Sequence, residues 1–140
     1  MRKLFLILGS MVMICLSGCS GFAVNDKIIG NYSLVGVDGV EQSCVCYFEP
    51  TDSNHGCFPV ITQTVYSVGF NNKFIIAQQH PDNNRKINNY FILPVNYTKK
   101  RWGDNFGLVG PLTFQQFNEK RKELRIPDSL KFTIINDDLK

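Results

Sequence analysis

Histidine and tryptophan are scarce in this chain, and its excess of basic over acidic residues is small, a net charge of +3. Its 140 residues include two His, one Trp, 15 Lys+Arg and 12 Asp+Glu. A nucleic-acid binder usually presents a dense basic face, and so even a balance argues against that class. The sequence contains no G-x-S-x-G elbow and no glycine-rich loop of the kind that cradles phosphate. A hydrolytic triad would have to draw its base from His55 or His80. His80 stands before Pro81 in a polar turn, where a histidine is more often a hydrogen-bonded turn residue than a base. The acidic residues Asp26, Asp38, Glu41, Glu49, Asp52, Asp82 and Asp104 are scattered and read as solvated loop charge. No apolar run reaches the roughly 20 residues of a comfortable bilayer span. No internal repeat or low-complexity stretch is visible.

What is present is apolar mass, 44% of the residues with 11 Phe, which argues for a packed core rather than disorder. The N-terminus reads Met1-Arg2-Lys3, then an apolar run from Leu4 to Leu16, then Ser17-Gly18-Cys19. A short positive start before such a run is a secretory signal. Leu16-Ser17-Gly18-Cys19 resembles the lipobox of bacterial lipoproteins. In that family the Cys thiol takes a diacylglyceryl group, the leader is cut before the Cys, and the new amine is acylated. The resemblance implies a signal peptide over residues 1–18, a lipidated Cys19 and a tether over 19–27, leaving a single globular domain over 28–140. Gly21-Phe22-Ala23 offers an ordinary small-x-small cleavage site as the alternative. Each buried methylene contributes about 0.8 kcal/mol, so chains on Cys19 would hold the domain at a membrane. Ser20, where retention in the inner membrane typically has Asp, implies an outer-membrane lipoprotein facing the periplasm. Without Arg2 and Lys3, the mature chain keeps a basic excess of one.

Three cysteines then remain, Cys44, Cys46 and Cys57. The compartment is oxidising, so a disulfide is expected. Cys44 and Cys46 share one face of a strand, and a bridge between them would be strained. Cys57 paired with either closes a hairpin-sized loop, worth about 2–4 kcal/mol, and leaves one thiol over. Adding His55 gives a soft-metal quartet, but the spacing C-x-C-x8-H-x-C is not a standard zinc pattern. A disulfide with a spare Cys is the favoured reading, without a bound metal or other cofactor.

Short alternating runs dominate the mature chain. Residues 28–37 read as a strand with glycine bends, Tyr32 and Leu34 sharing a face, and Asp38-Gly39 as a turn into Cys44–Phe48. Runs over 61–70 and 73–79 flank Asn71-Asn72, a plausible hairpin because Asn tolerates positive φ. Alternation would place Val65, Ser67 and Gly69 on one face, with Tyr66, Val68 and Phe70 on the other. Phe74 to Ala77 is apolar on both faces and reads as a central strand. Residues 89–95 form another strand, ended by Pro94, and 130–135 a last one. Thr113 and Gln116 form a capping box, and Leu112 with Phe117 a hydrophobic staple. Phe114, Phe117 and Leu124 fall on one helical side, and Pro127 stops the helix. The expected class is α+β, a mainly antiparallel sheet with one C-terminal helix packed on it.

The stretch from Val65 to Leu130 resembles a family of small bacterial lipoproteins of unknown function. The resemblance is carried by Gly69-Phe70-Asn71, Phe74-Ile75-Ile76-Ala77-Gln78-Gln79-His80-Pro81, Tyr90-Phe91-Ile92-Leu93, Gly110-Pro111-Leu112-Thr113 and Ile126-Pro127-Asp128. Arg125 departs from the glycine of similar members. The resemblance implies a compact domain with a final helix and brings no catalytic residues. The best recognition candidate is Lys99-Lys100-Arg101-Trp102, three cations beside an indole. The function expected is a non-enzymatic, lipid-anchored module that binds another envelope protein, for instance as an immunity protein against a toxin. A structural accessory of an envelope complex is the alternative, and a metal or redox role for the Cys cluster a weaker one.

Overall fold

The computed structural model describes residues 21–51, 56–98, 100–101 and 103–140. Cys19, His55, Lys99 and Trp102 lie outside them. The expected class holds, with the strands divided between two antiparallel sheets rather than one.

The first sheet has the order β1-β2-β3-β4, made of Val24–Ile29, Tyr32–Gly36, Cys44–Phe48 and Cys57–Ile61. The single strand expected over 28–37 is two strands, because Gly30 takes a left-handed φ of 59° and turns the chain at once. β1 therefore begins at Val24, within the stretch read as tether. The second sheet has the order β8-β7-β6-β5-β9. Its strands are β5, Val65–Phe70; β6, Phe74–Gln79; β7, Asn89–Pro94; β8, Val109–Leu112; and β9, Ile134–Ile135. The run expected over 61–70 breaks at Thr62, where the chain leaves the first sheet and enters the second. Thr64 N–H donates to His80 O and His80 N–H to Thr64 O, closing that crossing onto the end of β6.

Two apolar clusters make three layers. Between the sheets lie Tyr32, Leu34, Val45, Tyr47 and Ile61 from the first, against Val65, Val68, Ile75, Ala77, Phe91 and Leu93 from the second. On the far face of the second sheet, Ile76 and Ile92 pack with Phe117, Ile126 and Leu130. β6 and β7 are thus covered on both faces, which is why they are apolar throughout. Strict alternation fails in β5. A bulge between Val65 and Ser67 places Val65 and Val68 in the same cluster, against the expected faces. At Gly69 an added Cβ would press into the backbone oxygen of Lys131, so glycine there lets the C-terminal segment approach β5. The Asn71 turn forms by another route than positive φ. Its side-chain oxygen accepts from Lys73 N and Phe74 N, both at 2.8 Å.

The helix α1, Phe114–Glu123, starts as expected. Thr113 Oγ1 accepts from Gln116 N and Gln116 Oε1 from Thr113 N. Phe117 is buried, but Phe114 is 61% exposed, correcting its expected place on the apolar side. Its ring leans on Tyr90 at the rim of the second sheet. The helix ends in a Schellman arrangement: Ile126 N–H donates to Arg121 O and Arg125 N–H to Lys122 O. Arg125 holds the left-handed position, at φ 54°, that glycine favours.

Candidate functional site

Tyr32, Leu34, Val45 and Tyr47 point into the molecule, so the residues between them point out. Register pairs Ser33 with Cys46 and Val35 with Cys44 on that outer face of the first sheet. Neither apolar cluster includes these four residues. Beside them, Cys57 at the start of the edge strand β4 reaches back to Cys46. The disulfide is Cys46–Cys57, with Cα atoms 5.3 Å apart, leaving Cys44 as the free thiol. This pairing resolves the choice the sequence left open, and the reason is register. Cys57 stands opposite Phe48 and Pro59 opposite Cys46, which brings Cys46 nearer than Cys44.

The spare cysteine is not remote from the bridge. Cys44 Sγ lies 3.3 Å from Cys46 Sγ, and all three sulfurs fall within 4.8 Å of one another. Cys46 Sγ, being in a disulfide, has no hydrogen, so this is a thiol against a disulfide sulfur. The thiol also faces Val35 O at 3.5 Å. Burial pushes the Cys44 thiol above its ordinary pKa, which keeps it protonated at neutral pH. The same three sulfurs, once reduced, would be a soft-metal donor set. While the bridge stands, two of them are tied to each other.

Two cavities flank the cluster. A groove of about 480 Å³ is lined by Val35, Val37, Cys44, Pro59, Gln63 and Asp82 among others. At the opposite end of β3 a crevice of about 150 Å³ is lined by Tyr47, Glu49, Cys57, Phe58, Lys100 and Arg101 among others. The basic loop expected to carry recognition is thus brought beside Cys57, a proximity that the sequence does not reveal. Lys100 and Arg101 are each held by hydrogen bonds. Lys100 N–H donates to the Tyr47 hydroxyl at 3.0 Å, Lys100 Nζ to Asn105 O, and Arg101 N–H to Asp104 Oδ2. Phe106 plugs the end of the inter-sheet core, edge-on to Tyr47 and stacked on Phe58. Nearby, burial raises the Tyr32 pKa, opposed by the hydrogen bond from Asn96.

His80 is apart from this site. It is 3% exposed, stacks on Tyr66, and its Nδ1 meets Ile87 O at 2.8 Å. That contact pins the 81–87 loop. His80 Nε2 has no hydrogen-bond partner among the described residues. Among the described residues, no helix is long and apolar enough to cross a membrane.

The architecture defines a small two-sheet α+β domain with a thiol–disulfide cluster on the outer face of its first sheet. The chain belongs to a family of proteins of unknown function (DUF3997), whose model matches residues 29–139. The match spans both sheets and the helix, and so extends beyond the stretch from Val65 that suggested such a family. Comparison with curated proteins gives no match, and comparison with solved structures gives none.

Proposed function

We propose that this protein is a lipid-anchored binding module of the bacterial envelope, tied through Cys19 to the outer membrane and facing the periplasm. It holds another envelope protein, such as a toxin it neutralises, through the loop around Lys100 and Arg101, and performs no catalysis. The observation that supports this reading is the separation of two ends of the first sheet. Val24, where β1 begins, pairs with Gly36 at one end, while Tyr32 and Tyr47 pair at the other, where the basic loop docks. The strand between spans about 13 Å at the usual rise per residue. Cys19 precedes Val24 by five residues, a reach of at most about 17 Å. In this reading the tether enters at the Gly36 end and the basic loop, at the other end, turns from the bilayer toward a partner. Phe22 and Val37, both exposed, stand at the tether's end, where apolar side chains suit a lipid surface.

Two measurements test the reading. Mass spectrometry of protein from the native envelope should find a diacylglyceryl group on Cys19; an unmodified sulfur in a freely diffusing protein would overturn the anchor. Calorimetry against the purified product of the neighbouring gene should show binding. The pair Lys100→Glu and Arg101→Glu should weaken it at least about tenfold, because opposed charge at a recognition loop costs over about 1.4 kcal/mol. Unchanged affinity would remove the loop from the interface.

A further inference from the structure

We propose that Cys44, Cys46 and Cys57 form an intramolecular thiol–disulfide exchange site, which moves the free thiol from Cys44 at the groove to Cys57 at the basic crevice. The inference goes beyond the anchored-module reading and does not depend on it. It rests on three observations. The free thiol touches the disulfide, Cys44 Sγ being 3.3 Å from Cys46 Sγ. All three sulfurs lie within 4.8 Å, so neither strand has to slide for the bridge to change partners. The two terminal sulfurs open on different cavities, Cys44 on the groove and Cys57 on the crevice that Lys100 and Arg101 line.

The step balances without any outside oxidant. Cys44 loses its proton and the thiolate attacks Cys46 Sγ. A Cys44–Cys46 bond forms as the Cys46–Cys57 bond breaks, and Cys57 leaves as a thiolate that takes up a proton. Oxidation state is conserved: one disulfide and one thiol precede the step and follow it. Cys46, fully buried between the other two, is the sulfur common to both bridges. Burial that keeps Cys44 protonated holds the thiol there at rest, and the Cys44–Cys46 bridge is the more strained product. The crevice that Cys57 lines also holds Lys100 and Arg101, whose charges favour a thiolate, and Glu49, whose charge opposes it. The chemical class that the half-buried Cys57 thiolate would take is a disulfide, of a protein or of a small thiol, joined by the same exchange.

The test is alkylation mapping on the full chain. Oxidised protein is labelled with N-ethylmaleimide in brief pulses after incubation at a series of pH values. It is then digested with pepsin at low pH without reductant, and peptides carrying Cys15 and Cys19 are read separately. Label should fall on Cys44 at first and appear on Cys57 with incubation. The rate of appearance should rise about tenfold per pH unit below the thiol pKa, since only the thiolate attacks. It should not change with protein concentration. Cys44→Ser, which leaves the Cys46–Cys57 bridge in place, should abolish label on Cys57. Label confined to Cys44 at every pH would overturn the proposal. So would a rate proportional to concentration, or equal Cys57 labelling in Cys44→Ser. Because the readout needs neither lipid nor partner, its failure leaves the anchoring and binding tests untouched.

Discussion

The two sheets are both antiparallel, yet their outer faces carry different chemistry. In the second sheet, Ile76 and Ile92 face outward under α1 and join Phe117, Ile126 and Leu130 in a second apolar cluster. In the first sheet the outward positions are Ser33, Val35, Cys44 and Cys46, and among the described residues no apolar cluster forms there. One sheet is stabilised from both sides by packing. The other is packed on one side and stapled on the other by a disulfide. A face that does not have to receive a helix is free to hold reactive side chains, and the sulfurs are found there.

That contrast can be broken from the packed side first. Phe117→Ala should empty the centre of the second cluster and cost about 3–5 kcal/mol, read as a shift in urea midpoint. A loss below about 1 kcal/mol would mean that the helix is not what stabilises this face. On the stapled side, replacing Cys46 and Cys57 together by Ala should cost about 2–4 kcal/mol, since the bridge closes a loop of sequence separation 11. The comparison is sharpened if the double variant keeps the near-ultraviolet signal of a folded core.

Tyr66, on β5 against His80, gives a pH handle on the second sheet. Burial pushes its pKa up to about 12 from the ordinary 10.0, with a smaller contribution from Tyr90, and its hydroxyl donates to Asn88 Oδ1. The folded value is the raised one, so its contribution is complete below pH 10 and is lost as pH rises through about 12. Stability measured between those limits should fall more steeply in the wild type than in Tyr66→Phe. Parallel curves would remove Tyr66 as the cause. At the helix ends the effects are smaller. Thr113→Ala removes the Oγ1 that accepts from Gln116 N–H, leaving the backbone half of the capping box, and should cost about 1 kcal/mol. Arg125→Gly should raise stability, by up to about 1 kcal/mol, because glycine accepts the left-handed backbone that Arg125 is held in. Each is read from thermal unfolding.

Local patterns in the sequence were legible where the chemistry is local. The capping box of Thr113 and Gln116 needs only residues three apart, and it formed as expected. The two-faced apolarity of β6 likewise announced a strand covered on both sides. Phe114 was misplaced because helical periodicity ranks a side chain by angle and does not say how far the sheet beneath extends. The β5 bulge was invisible for a similar reason. It is a misfit between two strands, and Val65 and Ser67 alternate normally in the sequence until Gln78 and Gln79 are paired with them.

The amino-acid order alone decided that Cys44, Cys46 and Cys57 fall in the domain, that strands would predominate and that Thr113 would cap a helix. Only the folded chain chose Cys46 over Cys44 as the partner of Cys57 and brought the loop of Lys100 and Arg101 against that bridge. Periodicity and capping act over a few residues and can be read along the chain. Sulfur proximity depends on strand register and on a loop about fifty residues away, and those exist only once the layers have packed.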